Sequence, residues 1–589
     1  MLRNYFITAL RNIQRHPFFS LVNIVGLSLG MAATLLLFQY VFVEQQYDAH
    51  IPQAERVFRL YDKAEKSSAT TAPLLATLIK EKFPQAEAAV RVMPSHGTVS
   101  FEQAYRDPIR LEDKELLYAD AGFPGLFGVK MVQGSGDLRR AQCMLVSESW
   151  AEAQFGRSQT ALGQRVLFED QFGEESYVIT GIFEDIPAQS HLNFDVLLDF
   201  HQLLPTRYGW DDINSLGWAA FYTYVKLRRG ESAEQLEKQM ADMRTEMAGE
   251  AQKERLTLQP VRSIHLTPGL AAEPSPTRDP GSLYILLSLG GFILLIAWLN
   301  FVNLSTARAT KRAREVGIRK TIGAHRRQLI SQFLAESTLV FGVATLLAML
   351  LAEISLPAFC EWSGQVVSGH ILSNTQLVLT CLGLFAGGSI AAGAYPAFVL
   401  SSYRPVDVLK GQLNLQGKGL GLRRSLVVMQ FVISGVLMMG AFAVYHQLSF
   451  MLRANLGLDV KEKMIVWGPD RMEEDPGAAS QVFVTQLESF PDIQAVSTAG
   501  NVPGIGFNYA STQIKRPQVT EPTTPGLSVL YVDDQFQQIL GLELIAGRSF
   551  DPTLDGQGSV GLINQAALLP LGFQSPQEAL NQPLQIPYE

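Results

Sequence analysis

Five apolar runs punctuate the chain, and each is long enough for a helix to cross a hydrocarbon core, which takes roughly 20 residues. They are Phe18–Val43, Leu283–Leu304, Phe333–Leu356, about Thr375–Leu400, and Leu426 to about His446. This pattern predicts five transmembrane helices, over 18–43, 283–304, 333–356, 375–400 and 426–446. The first run is too long for the apolar core of a signal peptide and lacks an A-x-A site after it, so it reads as a retained anchor. Residues 44–282 and 447–589 then fall on one side of the membrane as outer domains. Residues 1–17, 305–332 and 401–425 fall on the other.

The outer segment 44–282 has a different periodicity. RVFRLYD reads as a strand, a helix follows from about Pro73 to Lys82 with Thr71 as its N-cap, and AAVRVM returns as a strand. Near the end of the segment, FYTYVKL is a strand. Ser232 and Gln235 form a capping box for a helix, and LTLQPV returns. In that second helix Leu236, Met240, Met243 and Met247 share one face. Methionine at helical spacing is core material. Two βαβ units thus flank a middle portion of short strands, such as SYVITGIFEDI. His191 and His265 lie in loop-like settings and are expected to play ordinary structural roles.

Charge orients the chain. Positive residues collect in short loops on the cytoplasmic side. The three segments assigned there carry net +3, +7 and +4, whereas the 589-residue chain carries −8, so the rest sums to −22. The 47% apolar content and mean hydropathy of +0.10 fit spans joined to large polar domains. Cys143, Cys360 and Cys381 are far apart and form no CxxC, and the nine histidines show no metal-ligand spacing. No metal, cofactor or nucleic-acid partner is expected.

The +7 connector concentrates eight Lys or Arg residues between Arg308 and Gln328. Charge alone would make it a topology signal with lipid headgroup contact. Gly317 and Gly323 interrupt it, however, and Ile318 and Ile322 between them fall four apart on one helical face. A short cytoplasmic helix with two exposed isoleucines and a basic flank is a docking element for another protein. In the first run, Gly26 and Gly30 form a GxxxG that permits close helix approach.

The chain also repeats itself. YADAGFPGLFGVKMVQG from Tyr118 matches YVDDQFQQILGLELIAG from Tyr531 at Tyr118, Asp120, Phe123, Gly128 and Gly134, and FGRSQTALGQ resembles LGFQSPQEALNQ. A period of roughly 400 residues means duplication of a whole unit, with an intact length of about 800. The expectation is that 447–589 is an incomplete second outer domain.

No Walker A motif is present; GQLNLQGKGL has the wrong glycine spacing and Gly419 after its Lys. No nucleophile elbow or catalytic pair appears, so the chain is not expected to be an enzyme. Glu336 and Glu353 lie near a span end and are expected to snorkel. LRNIQRHPFFSLVNIVGLSLG, YVITGIFEDIPAQSHLNFDVL, NFVNLSTARATKRAREVGIRKTIGAHRRQLISQFLAES and YPAFVLSSYRPVDVLKG resemble the MacB/FtsX-type ABC transporter permeases in their long duplicated form.

That resemblance implies an α-helical membrane protein with α+β periplasmic domains, built of porter-like βαβ units plus an inserted subdomain. It implies a multi-pass protein of the bacterial inner membrane. It implies that Arg312, Glu315, Gly317, Ile318, Arg319, Lys320, Ile322, Gly323 and Ala324 form a coupling segment docked into a separate ABC ATPase subunit. Further partners implied are a periplasmic membrane-fusion adaptor, an outer-membrane channel and a dimer or pseudo-dimer of permease units. The function implied is mechanotransmission of ATP hydrolysis to the periplasm for export of a drug, peptide, lipid or lipoprotein. The alternative is an FtsX-like regulator of a cell-wall hydrolase.

Overall fold

The computed structural model describes residues 7, 10, 11, 14–63, 67–101, 109–139, 142–170, 173–200, 219–248, 255–307, 316, 318–365, 374–402, 420–455, 457–467, 476–504, 509–511, 514–517, 519, 526–555 and 560–586. Two compact units divide the chain, 1–444 and 445–589.

In chain order, the elements of the first unit that matter here begin with helix α1 (Pro17–Gln45), strand β1 (Val57–Lys63), helix α2 (Leu74–Lys82) and strands β2 (Ala86–Phe101) and β3 (Ile109–Ala119). Strands β4 (Met131–Gly134), β5 (Cys143–Ser147), β6 (Arg165–Asp170), β7 (Gly173–Phe183), β8 (Val196–Asp199) and β9 (Tyr222–Leu227) follow. Then come α3 (Ala233–Ala248), β10 (Arg255–Pro260), α4 (Pro280–Ala307), α5 (Arg326–Ser363), α6 (Thr375–Ser402) and α7 (Leu420–Arg453), the last of which runs across the boundary at 444.

Helices α1, α4, α5 and most of α7 are long and apolar enough to cross a membrane, and α6 adds a shorter apolar stretch, Thr375–Ala391. All five extend past the apolar runs that mark them. The largest extension is in α5, which runs from Arg326 to Ser363 because its charged first turns and its last turns remain helical on both sides of the core. α1 packs against α4 and α5, and α6 against α5. The first cluster of apolar side chains in the bundle gathers Met31, Leu35, Leu294, Ala348, Ala352 and Leu356. The second gathers Leu27, Phe301, Val302, Phe341 and Ala344. No residue in the apolar stretch of α7 is fully buried; Leu426 packs against the second cluster, whereas Phe431 and Phe442 are exposed.

Between α1 and α4 lies one sheet that, among the described residues, has ten strands in the order β10-β1-β9-β2-β3-β8-β5-β7-β4, with β6 bridging β2 and β7. β1 is antiparallel to both β9 and β10, and β9 is antiparallel to both β1 and β2. The β1-α2-β2 and β9-α3-β10 units are therefore each internally parallel and interleave, each holding a strand of the other between its own two. This is the split βαβ arrangement. Leu236, Met240 and Met243 of α3 are buried with Leu75 and Ile79 of α2, as the spacing requires, at roughly 1.5–3 kcal/mol per buried side chain. The side chain of Met247 lies outside the described residues. The insertion from β3 to β8 adds the second half of the sheet, which β2 enters through its 16-residue length.

One local expectation is overturned. Thr71 does not cap α2; Pro73 holds that position with no side-chain cap. The Thr71 hydroxyl is spent instead on Thr223 Oγ1 at 2.9 Å and the carbonyl of Phe221 at 3.2 Å, which ties the chain before α2 to the start of β9. A cross-strand partner outcompeted the helix end.

The second unit, taken by itself, reproduces local geometry of the first. Gly128 has φ +70° and its counterpart Gly541 φ +63°; Gly134 has +77° and Gly547 +86°. Only a residue tolerant of the left-handed region serves at such turns. A Cβ on Gly134 would meet Leu162 at 2.8 Å, and one on Gly547 would meet Leu580 at 2.9 Å. Val129 N donates to Pro124 O at 2.9 Å, and Leu542 N to Gln537 O at 3.0 Å. Its small core gathers Ile514, Ala567, Leu571 and Phe573.

Candidate functional site

Two places stand out, one at each end of α5. At its start, the connector turns back onto the helix. Val316 is buried against Leu329 and Phe333. Ile318 is 46% exposed and Ile322 82% exposed. The Ile322 amide donates to Ile318 O at 3.2 Å, which keeps the helical turn between them. Gly323 then adopts φ +100°, and the Ala324 amide donates to Arg319 O at 3.0 Å, the geometry of a left-handed helix stop. His325 caps α5, its amide donating to Gln328 Oε1 at 3.0 Å.

The connector is also tied along the helix. Arg319 Nη1 donates to Gln332 Oε1 at 2.6 Å, and Gln332 Nε2 donates to Glu336 Oε1 at 3.2 Å. Glu336 is thus a hydrogen-bonded member of this end. Burial and then the nearby Arg326 push the Lys320 ammonium down from its ordinary value. Of the nine coupling residues named from sequence, Ile318, Arg319, Lys320, Ile322, Gly323 and Ala324 are gathered in this one turn. Arg312, Glu315 and Gly317 lie outside the described residues.

At the other end, the chain leaving α1 is held by two buried carboxylates four residues apart. Glu44 is 2% exposed. Its Oε2 accepts from His265 Nε2 at 2.5 Å, and its Oε1 accepts from Gln365 Nε2 at 2.7 Å while facing Arg278 Nε at 3.1 Å. A carboxylate only accepts, so His265 carries its hydrogen on Nε2. The Tyr47 ring stacks on His265, with centroids 3.4 Å apart and planes 2° from parallel.

Asp48 is fully buried and holds a left-handed backbone, φ +59°, that an aspartate tolerates better than most residues. Its Oδ1 lies 2.8 Å from His191 Nδ1 and accepts from the His191 amide at 3.0 Å. His191 Nε2 meets the Tyr224 hydroxyl of β9 at 2.7 Å. Burial opposes ionisation of Asp48, but His191 and its hydrogen bonds outweigh that, and the carboxyl is held below its ordinary value. Burial pushes the His50 imidazole down and the Tyr47 and Tyr224 hydroxyls up.

Sequence reasoning placed His191 and His265 in structural roles and passed over Glu44 and Asp48. In the sequence the apolar run ends at Val43, which makes Glu44 the first polar residue of an outer domain, whereas in the structure it belongs to the last turn of α1. Within the bundle, a Cβ on Gly30 would sit 2.8 Å from Ala297 Cβ of α4. The nearest neighbour for one on Gly26 is Asn300 Nδ2 at 3.8 Å, an ordinary contact. One turn further on, Thr34 Oγ1 donates to Gly290 O of α4 at 3.0 Å.

Residues 20–243 match the family described as the MacB-like periplasmic core domain, and residues 287–405 match the FtsX-like permease C-terminal family. The macrolide export ATP-binding/permease protein MacB of Bdellovibrio bacteriovorus is 30% identical over 129 residues, 21% of this chain and 19% of that protein. The ABC transporter permease YknZ of Bacillus subtilis is 30% identical over 135 residues, 21% of this chain and 31% of that one. The match therefore spans under a third of either relative's length. Among solved structures, the periplasmic region of MacB from Actinobacillus actinomycetemcomitans aligns at 15% identity and TM-score 0.28, covering 37% of this chain and 92% of that one. With one family domain in its outer sheet and the other in its membrane helices, the chain belongs to the MacB/FtsX-type permeases.

Proposed function

We propose that the chain is the membrane subunit of an ABC transporter and couples ATP hydrolysis by a separate ATPase to movement of its periplasmic domain, for export. The observation that carries this is the turn at 318–325. It offers Ile318 and Ile322 to solvent while Val316 and Arg319 anchor it to α5. An apolar pair left exposed beside Arg319, Lys320, Arg326 and Arg327 suits a partner with an apolar cleft and an acidic rim. The chain itself is proposed to be non-catalytic and to lie in the inner membrane. A periplasmic adaptor, an outer-membrane channel and pairing of permease units remain expected on the family likeness.

The test is co-purification of an ATPase with full-length protein. Ile318→Asp should abolish it without affecting membrane insertion, because an unpaired charge buried at an interface costs 2–5 kcal/mol or more. Gly323→Pro should do the same, since proline cannot adopt φ +100°. Retention of the ATPase by both variants would refute the docking assignment. Recovery of a cell-wall hydrolase in place of export components would favour the regulatory reading.

A further inference from the structure

Glu44 is where three separate stretches of chain meet in the first unit. It ends α1, the first span. His265 and Arg278 belong to the lead that carries the chain from the outer sheet into α4, and Gln365 lies just past the end of α5. Both carboxylate oxygens are engaged. Oε2 is held by His265, and Oε1 is shared by Gln365 and Arg278. Aromatic rings pack around the carboxylate: Tyr47 stacks over the imidazole, the half-exposed Arg278 lies 5.8 Å from the Tyr40 ring, and Tyr40 packs edge-on against Phe359 of α5. The lead is itself pinned, because the Arg278 amide donates to His265 O at 2.7 Å.

We propose that Glu44 is a three-way joint, the positioning residue through which displacement of α5 passes to the lead from the periplasmic domain. The reasoning is geometric. Gln365 and Arg278 make no direct bond to each other, yet they bind the same oxygen. If α5 shifts, Gln365 either pulls that oxygen with it or abandons it, and Arg278 experiences the change in both cases. A buried carboxylate cannot replace a lost donor with bulk water, so the three arms move together. Among the described residues, neither His265 nor Arg278 is bonded to the connector at the start of α5. Glu44 thus joins the far end of α5 to the lead from the outer sheet. The proposal rests on the reading that α5 is driven from its connector, but its test does not require the driver.

The test is hydrogen–deuterium exchange on the full chain in lipid nanodiscs. Gln365→Leu removes the α5 arm, both its bond to Glu44 and the longer one to the Tyr40 carbonyl at 3.5 Å. It should speed exchange of the Arg278 amide at least about fivefold, although residue 365 does not contact it. Arg278→Gln should reciprocally speed exchange in the last turn of α5, residues 360–363, as coupling between sites requires. Glu44→Gln keeps an oxygen acceptor and should loosen both arms less than Glu44→Ala. Amides of α1 around Met31 and Leu35 should stay protected throughout, which shows that the bundle is folded. If one variant disturbs the bundle, the other reports on the same link from the opposite side. Confinement of each effect to the mutated arm would overturn the proposal. Failure of ATPase docking would remove the driver while leaving the exchange result to stand or fall alone.

Discussion

His191 Nδ1 lies 2.8 Å from Asp48 Oδ1, both side chains fully buried, across 143 residues of sequence. The pair fastens the chain leaving the first span to the loop that precedes β8, and the Tyr224 hydroxyl extends it to β9. Removing one member leaves the other buried without its partner. His191→Leu should therefore destabilise the outer domain by about 3–5 kcal/mol, read as lower Tm of the full chain in detergent. Loss of under about 1 kcal/mol would show that the pair is not a structural tie.

Stability should fall with acid in two steps. His50 has a depressed pKa, so the folded state stays neutral where the unfolded chain takes up a proton; its contribution is present above about pH 6.5 and fades as pH drops through the folded value. Asp48 is also depressed, so its contribution is present above about pH 3.9 and is lost as pH falls through its own folded value. The check is the wild-type minus His50→Gln difference in Tm across pH 7 to 5. It should narrow or reverse as pH falls, because only the wild type loses stability from this site.

The GxxxG of the first span should prove asymmetric. Gly30→Ala forces a methyl within 2.8 Å of Ala297 Cβ, whereas Gly26→Ala meets nothing closer than 3.8 Å. Overpacking of this kind costs about 1–3 kcal/mol. Gly30→Ala should lower the Tm of the detergent-solubilised protein, Ala297→Gly should rescue it, and Gly26→Ala should be close to neutral. Equal effects at the two glycines would refute the packing account.

The second unit should yield to protease first. Met464 and Trp467 are 82% and 56% exposed, whereas Arg59 of β1 is fully buried with Glu273 and Gln259 bonded to its guanidinium. Trypsin should cut beside Lys461 and Lys463 at least about tenfold faster than at Arg59, since cleavage follows local opening. The rates are read by mass spectrometry of timed digests, and comparable rates would count against it.

What could be read from sequence was set by periodicity and charge. The apolar runs mark the membrane helices, and the spacing of Leu236, Met240 and Met243 marks the buried face of α3. The isoleucines at 318 and 322 are visible because a local spacing of four puts them on one turn. The junction was invisible for the opposite reason. Glu44 is 221 residues from His265 and 321 from Gln365, and no local pattern announces a bond over such distances. Thr71 was misread on the same account, because its partner at Thr223 lies on a strand 152 residues away.

Helix α5 carries a mechanical consequence. Its 38 residues span roughly 57 Å, whereas the hydrocarbon core is about 30 Å thick. As a span, nearly half its length would stand outside that core, in headgroups and water on the two sides, with the bilayer as a fulcrum. A tilt of about 10° about the midpoint would swing each end by roughly 5 Å in opposite directions. That stroke exceeds the reach of any one hydrogen bond, so a tilt of that size would break or remake contacts at both ends of the helix. Pro357 sits in the last two turns before Gln365, where its missing N–H removes a backbone hydrogen bond from the ladder that would transmit the tilt.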